Sequence, residues 1–199
     1  MLTIREEYLR SLIVDDWFEN HEILEYNLFK CKESGRTITS LVWGKPGTNF
    51  YRIQYLIKDN VLFVSGDVGH YTYQFSEPIT LEYFLSKGTE ADYYVSKCVS
   101  QYPDSLKEWD EQVAKEKLLV LDDIDEGIKK NAIEGNWITD EESWMEFVED
   151  SINEKLMTGD PWDYADLGMT TNLRPIAHFI GLEMSAKYIQ ENESFFRKG

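Results

Sequence analysis

Apolar residues in the first eighteen positions recur at helical spacing: Tyr8, Leu9, Leu12, Ile13 and Trp17 share a face, behind the capping-box order of Thr3-Ile-Arg-Glu6. This predicts a helix over residues 4–18. Beyond His21 the period falls to two. Tyr26 and Leu28 alternate with Phe29 and Cys31, and Ile38 and Val42 with Leu41 and Trp43, across the turn Glu33-Ser-Gly-Arg36, which predicts a hairpin. Tyr51, Ile53, Tyr55 and Ile57 then line one face after Lys45-Pro-Gly47. Two further alternating runs follow, Val61 to Ser65 and Tyr71 to Phe75, bounded by Lys58-Asp-Asn60 and Gly66-Asp-Val-Gly69. Five short strands joined by tight turns predict an antiparallel meander, because parallel neighbours need long crossovers.

After Pro78 the helical period returns. Leu81, Phe84 and Leu85 predict one short helix, and Tyr93, Tyr94, Cys98 and Val99 a second. Asp104 is placed to cap a helix carrying Leu106, Trp109 and Val113. Thr139-Asp-Glu-Glu142 reads as a capping box that opens a helix with the apolar stripe Trp144, Val148, Ile152 and Leu156. Met157 to Arg174, with Gly159, Pro161 and Gly168, has no period and predicts a long loop. A last helix is expected from Pro175 to about Asn192. The fold class expected is α+β: an N-terminal helix and a five-stranded antiparallel meander over residues 1–103, then an acidic helical half over 104–199. No Gly/Ser/Pro linker marks that border, so one continuous domain over 1–199 is the alternative.

Charge sharpens the division. From Asp104 to Asp166 there are 20 acidic residues against 6 lysines, so −14 of the whole-chain −17 lies within 63 residues. Such a surface repels nucleic acid and anionic lipid and attracts basic proteins over about 8 Å at physiological salt. No apolar run reaches the roughly 18 residues of a membrane span, and MLTIREEYLR lacks the basic-then-apolar order of a signal peptide, so a cytoplasmic protein is expected. Cys31 and Cys98 have no partner at ligand spacing and read as buried thiols. His178 lies in the apolar run Ile176 to Ile180 and reads as a core histidine.

Catalytic and cofactor signatures are absent. Gly44-Lys-Pro-Gly47 is not a phosphate loop, and no G-x-G-x-x-G or G-x-S-x-G occurs. The acids before Gly127 fail as a calcium loop, since aligning that glycine puts Ile124 at the third position and Ile133 where the bidentate glutamate belongs. Asp67 and His70 flank a turn and supply the one general acid/base pairing open to a small hydrolase, although two glycines around an aspartate are what a tight turn itself requires. No cofactor, metal or catalytic residue is expected.

The stretch Trp43-Gly-Lys-Pro-Gly-Thr-Asn-Phe-Tyr51, with Leu62-Phe-Val-Ser-Gly-Asp-Val-Gly-His-Tyr-Thr-Tyr-Gln-Phe75 and Tyr93-Tyr94-Val-Ser-Lys97, resembles a group of phage and prophage proteins of unassigned function. These share a W-x-x-x-P-G-T start and a G-D-x-G-x-Y-x-F hairpin; this chain departs from both, with one residue fewer between Trp43 and Pro46 and with Tyr73 in place of the Phe. The resemblance spans residues 40–100, implies a viral or mobile-element origin and carries over no catalytic residue.

Partner-binding residues are therefore sought among the acids. Glu142, Glu146, Glu149 and Asp150 fall on the face opposite the Trp144 stripe and form a row of negative charge. Asp122, Asp123, Asp125, Asp160, Asp163 and Trp162 form a second patch. In the latter, Trp162 and Tyr164 are either anchors of a recognition loop or folded beneath it into the core. The expectation is a phage-encoded, anti-CRISPR-like inhibitor. It would act in the host cytoplasm, occupying the nucleic-acid groove of a basic host defence protein such as a nuclease effector without itself binding nucleic acid. An immunity protein neutralising a basic toxin is the alternative from the same charge.

Overall fold

Strand β3 (Ile53–Lys58) shows how the sheet is specified: Ile53, Tyr55 and Ile57 are buried while Gln54, Leu56 and Lys58 face out. A computed structural model describes residues 4–86, 91–102, 106–121, 124–135, 138–153, 164 and 166–192. The chain forms an α+β fold of two compact units, residues 1–106 with 171–199, and residues 107–170.

In the first unit, α1 (Ile4–Ser11) runs into a π-helical turn over Leu12–Trp17, closed by the Phe18 N–H on the Ile13 carbonyl at 2.9 Å. Six antiparallel strands follow in sequential order: β1 (Glu22–Lys30), β2 (Thr37–Gly44), β3, β4 (Val61–Gly66), β5 (His70–Gln74) and β6 (Cys98–Tyr102). Between β5 and β6 lie two short helices, α2 (Tyr83–Ser86) and α3 (Ala91–Val95). The sixth strand is one more than expected. Cys98 and Val99 had been assigned to a helix with Tyr93 and Tyr94, but that helix stops after one turn and the chain extends to pair with β5.

The inner face of the sheet is closed by α7 (Leu173–Glu191), the helix expected from Pro175. Asn172 caps it, accepting from the Arg174 N–H at 3.0 Å. Eight consecutive residues of α7, Pro175 to Leu182, are buried, as befits a helix covered on most sides. Ile176, Phe179, Ile180 and Leu182 share one core with Leu41, Trp43, Tyr55 and Tyr73. The border expected near residue 103 is thus crossed twice: the acidic segment is an insertion, and the chain returns to the sheet. Arg10 of α1 and Lys187 both bind Glu183 of α7, at 2.8 and 2.6 Å. Although burial pushes the Glu183 carboxyl up, these two cations outweigh it and hold it below its usual range.

The second unit opens with β7 (Lys107–Trp109), which pairs with β8 (Met169–Thr171) in a two-stranded ribbon. Among the described residues three α-helices of more than one turn lie between, α4 (Glu111–Leu119), α5 (Glu126–Glu134) and α6 (Glu141–Asn153), and a 3-10 turn over Asp166–Gly168. Residues 106–109 were expected to be helical behind Asp104. Lys107–Trp109 is a strand instead, and the cap is Asp110, whose carboxylate accepts from the Val113 N–H at 2.9 Å. The core holds Ala114, Leu118, Ile128, Ala132, Trp144, Phe147, Val148 and Tyr164. Ile152 and Leu156, the rest of the expected stripe, have side chains outside the described residues.

The cysteines depart from expectation. Cys31 is exposed and Cys98 half-buried, both as free thiols. Cys31 follows the end of β1, where Leu28 and Phe29 are also exposed, so the outer end of this edge strand has no covering layer among the described residues.

Candidate functional site

Helix α6 owes its place to its buried face. Trp144 and Val148 are fully buried, Phe147 and Ser151 nearly so, and the Trp144 indole N–H donates to the Tyr164 carbonyl at 3.0 Å. At about 100° per residue these positions centre opposite Glu142, Glu146, Glu149 and Asp150, which fall within an arc of about 100°. All four are exposed. The helix contains no Lys or Arg, and among the described residues none forms an ion pair with any of the four.

Nearby lysines are committed elsewhere in the same unit. Lys115 binds Glu111 at 2.6 Å, Lys129 binds Glu126 at 2.9 Å and Lys130 reaches Glu134 at 3.8 Å, each pair three or four residues apart on α4 or α5. Among the described residues these ion pairs are local to α4 and α5, and none reaches the acidic face of α6. The four acids span about 12 Å of helix axis. Their mean axial spacing of about 4 Å lies close to the roughly 3.4 Å of helix axis per phosphate of one DNA strand.

Of the second expected patch, Asp122, Asp123, Asp160, Trp162 and Asp163 lie outside the described residues. Asp125 is exposed but serves as the cap of α5, its carboxylate accepting from the Gly127 N–H at 2.8 Å. Tyr164 is buried in the core of its unit, so of the two readings of that segment this aromatic takes the core one.

Asp67 and His70 have separate partners. The Asp67 carboxylate accepts from the Tyr51 N–H at 2.8 Å, while Nδ1 of His70 lies 2.9 Å from the Ser65 hydroxyl. Gly66 carries φ of +146°, and a Cβ there would stand 2.2 Å from the Arg52 carbonyl, so only glycine fits. Val68 is buried and its carbonyl meets Nε2 of His178 at 3.1 Å. The turn after β4 thus clasps the 45–52 loop, with the Tyr51 N–H on the Asp67 carboxylate and the Asp67 N–H on the Arg52 carbonyl at 3.0 Å.

Sequence reasoning passed over what this clasp creates. Asn49, Arg52, Gln54, Gly66 and Asp67 line an open recess. Arg52 and Gln54 alternate with the apolar positions Ile53 and Tyr55, and the period of the strand assigns them no role. The signal that could have found the recess is two turns, each bearing polar residues, at the same end of adjacent strands β3 and β4. No family model, curated protein or solved structure matches the chain.

Proposed function

We propose that residues 107–170 form an acidic docking module that binds the cationic groove of a nucleic-acid-binding protein and so blocks it. The observation that supports this reading is the α6 row of four exposed carboxylates, with no ion-pair partner among the described residues, at an axial spacing close to that of a phosphate strand. The unit as a whole carries 19 acidic residues against 6 lysines and no arginine, a net −13. A folded surface of this kind offers charge without bases, so it competes with nucleic acid for the groove while binding none itself. Long-range attraction speeds encounter, and close carboxylate–guanidinium contacts slow release. In the proposal the protein is phage-encoded and acts in the host cytoplasm, and the partner is a defence nuclease of the CRISPR type. Among the described residues no helix is long and apolar enough to cross a membrane.

The test is capture from host lysate with the intact chain, followed by elution with duplex DNA. The expected result is a basic nuclease retained at low salt and displaced by DNA. Replacing Glu142, Glu146 and Glu149 by Gln and Asp150 by Asn weakens binding about 1,000-fold, at roughly 1 kcal/mol per charge. Equal retention by this variant, or a bound protein that DNA does not displace, overturns the reading.

A further inference from the structure

The recess framed by the 45–52 loop and the turn after β4 has a volume of about 380 Å³. Its lining is four polar side chains, Asn49, Arg52, Gln54 and Asp67, and one glycine. Arg52 is poorly satisfied there. One terminal nitrogen lies 3.4 Å from Asn49 Oδ1, the other 3.8 Å from Glu25, and its Nε is buried without a hydrogen-bond partner. The loop is tied to its surroundings at Tyr51. Tyr51 is kept at φ +53°, an uncommon value for a residue with a side chain, by its N–H on Asp67 and by stacking on Trp17 at 4.8 Å. Between the lining residues Asn49 and Arg52 the same loop carries Phe50, 75 % exposed.

These features select a ligand class by elimination. No hydrophobic side chain is among the lining residues, so an apolar ligand finds only the carbon stems of polar ones, and a cation meets Arg52. A strongly anionic ligand meets Glu25 and Asp67 beside that arginine, on a chain of net −17. Neutral hydroxyls remain: each donates and accepts, matching the donors of Arg52, the acceptors of Asp67 and the two-sided amides of Asn49 and Gln54. The electron-rich face of an exposed phenyl ring suits the C–H face of a sugar ring.

We propose that this recess is a saccharide-binding site, in which Asn49, Arg52, Gln54 and Asp67 bind ring hydroxyls and Phe50 is the stacking surface. It is independent of the acidic face of α6.

The experiment is an amide-resolved NMR titration of the full chain with glucose, galactose, mannose and N-acetylglucosamine, to about 50 mM, a range that registers a Kd of about 1 mM or weaker. Glutamine is titrated as a zwitterionic control. At least one sugar is expected to shift residues 49–54 and 65–69 saturably. Phe50→Ala should weaken that sugar about 5- to 10-fold and Gln54→Ala about 3- to 10-fold, with unchanged melting temperatures because both side chains are exposed. The proposal is overturned if no sugar shifts these signals, if glutamine shifts them and sugars do not, or if both variants bind sugar like the wild type.

Discussion

His178 is the residue on which the first unit's packing converges. Its Nε2 faces the Val68 carbonyl at 3.1 Å, which fixes the proton there, so Nδ1 accepts from the Tyr73 hydroxyl at 3.0 Å. The Tyr55 hydroxyl donates to the His178 carbonyl at 2.9 Å, an approach that passes over Gly181, where a Cβ would stand 2.4 Å from that hydroxyl. An imidazole so enclosed stays neutral: burial pulls its pKa from 6.5 down to about 3. The unfolded chain therefore holds more protons between those two values, and the free energy of unfolding falls as the pH is lowered through that interval. This contribution is complete above about pH 6.5 and gone below about pH 3. Urea midpoints between pH 7 and 5 should give a slope approaching about 1.4 kcal/mol per pH unit. His21, which burial also lowers, adds to it with the same sign. Glu183 enters only at lower pH, since its depressed carboxyl contributes stability that is lost as it protonates. His178→Gln should remove most of the slope whatever it does to absolute stability, and an unchanged slope would show that this histidine is not the group responsible. The core role of His178 was legible because its neighbours are apolar on both sides. The cysteines were misread because burial of a thiol depends on where a strand lies in the sheet, and Cys31 follows the edge strand.

At the scale of elements, short segments were the ones misassigned. Tyr93, Tyr94, Cys98 and Val99 fit a helical period over seven residues, but one turn of helix followed by a strand gives the same spacing. Long elements were legible: α6 repeats its buried face at Trp144, Phe147, Val148 and Ser151, and α7 is a long apolar run behind Pro175. Even there the cap of α6 differs by one residue. The expected box joined Thr139 to Glu142, whereas Asp140 and Ser143 bind reciprocally, the Asp140 carboxylate accepting from the Ser143 N–H at 2.9 Å and the Ser143 hydroxyl accepting from the Asp140 N–H at 3.2 Å. Thr and Asp are both good caps in adjacent positions, so composition alone does not choose between them. These bonds hold the Asp140 carboxyl below its usual range. Asp140→Ala is expected to lower the melting temperature by about 3 °C and to reduce helical circular dichroism, with Asp140→Asn retaining most of both. Equal values for the alanine variant and the wild type would mean that the cap contributes nothing.

Across the whole molecule the charge is unevenly placed, net −13 in residues 107–170 and −4 in the rest. The charge segregation was legible in the sequence. That the segment is an insertion, with α7 returning to the sheet, was not, because periodicity shows that a helix is amphipathic or buried without showing which core receives it. Lysines on α4 and α5 neutralise their own neighbours, so repulsion among the remaining acids must be carried by the fold. Salt relieves that repulsion, as the screening length falls from about 30 Å at 0.01 M to about 3 Å at 1 M. Stability against urea should therefore rise with sodium chloride, by on the order of 1 kcal/mol for the acidic unit. Tryptophan fluorescence reads this unit preferentially, since Trp109, Trp137, Trp144 and Trp162 are four of the six tryptophans. The Gln/Asn variant of the α6 row should start more stable at low salt and gain less as salt is added. Without a partner present, that difference isolates the charge of the face from its use. A salt response equal in the variant and the wild type would mean that these four carboxylates do not repel one another, and a row that does not repel itself would lack the field proposed to draw in a basic groove.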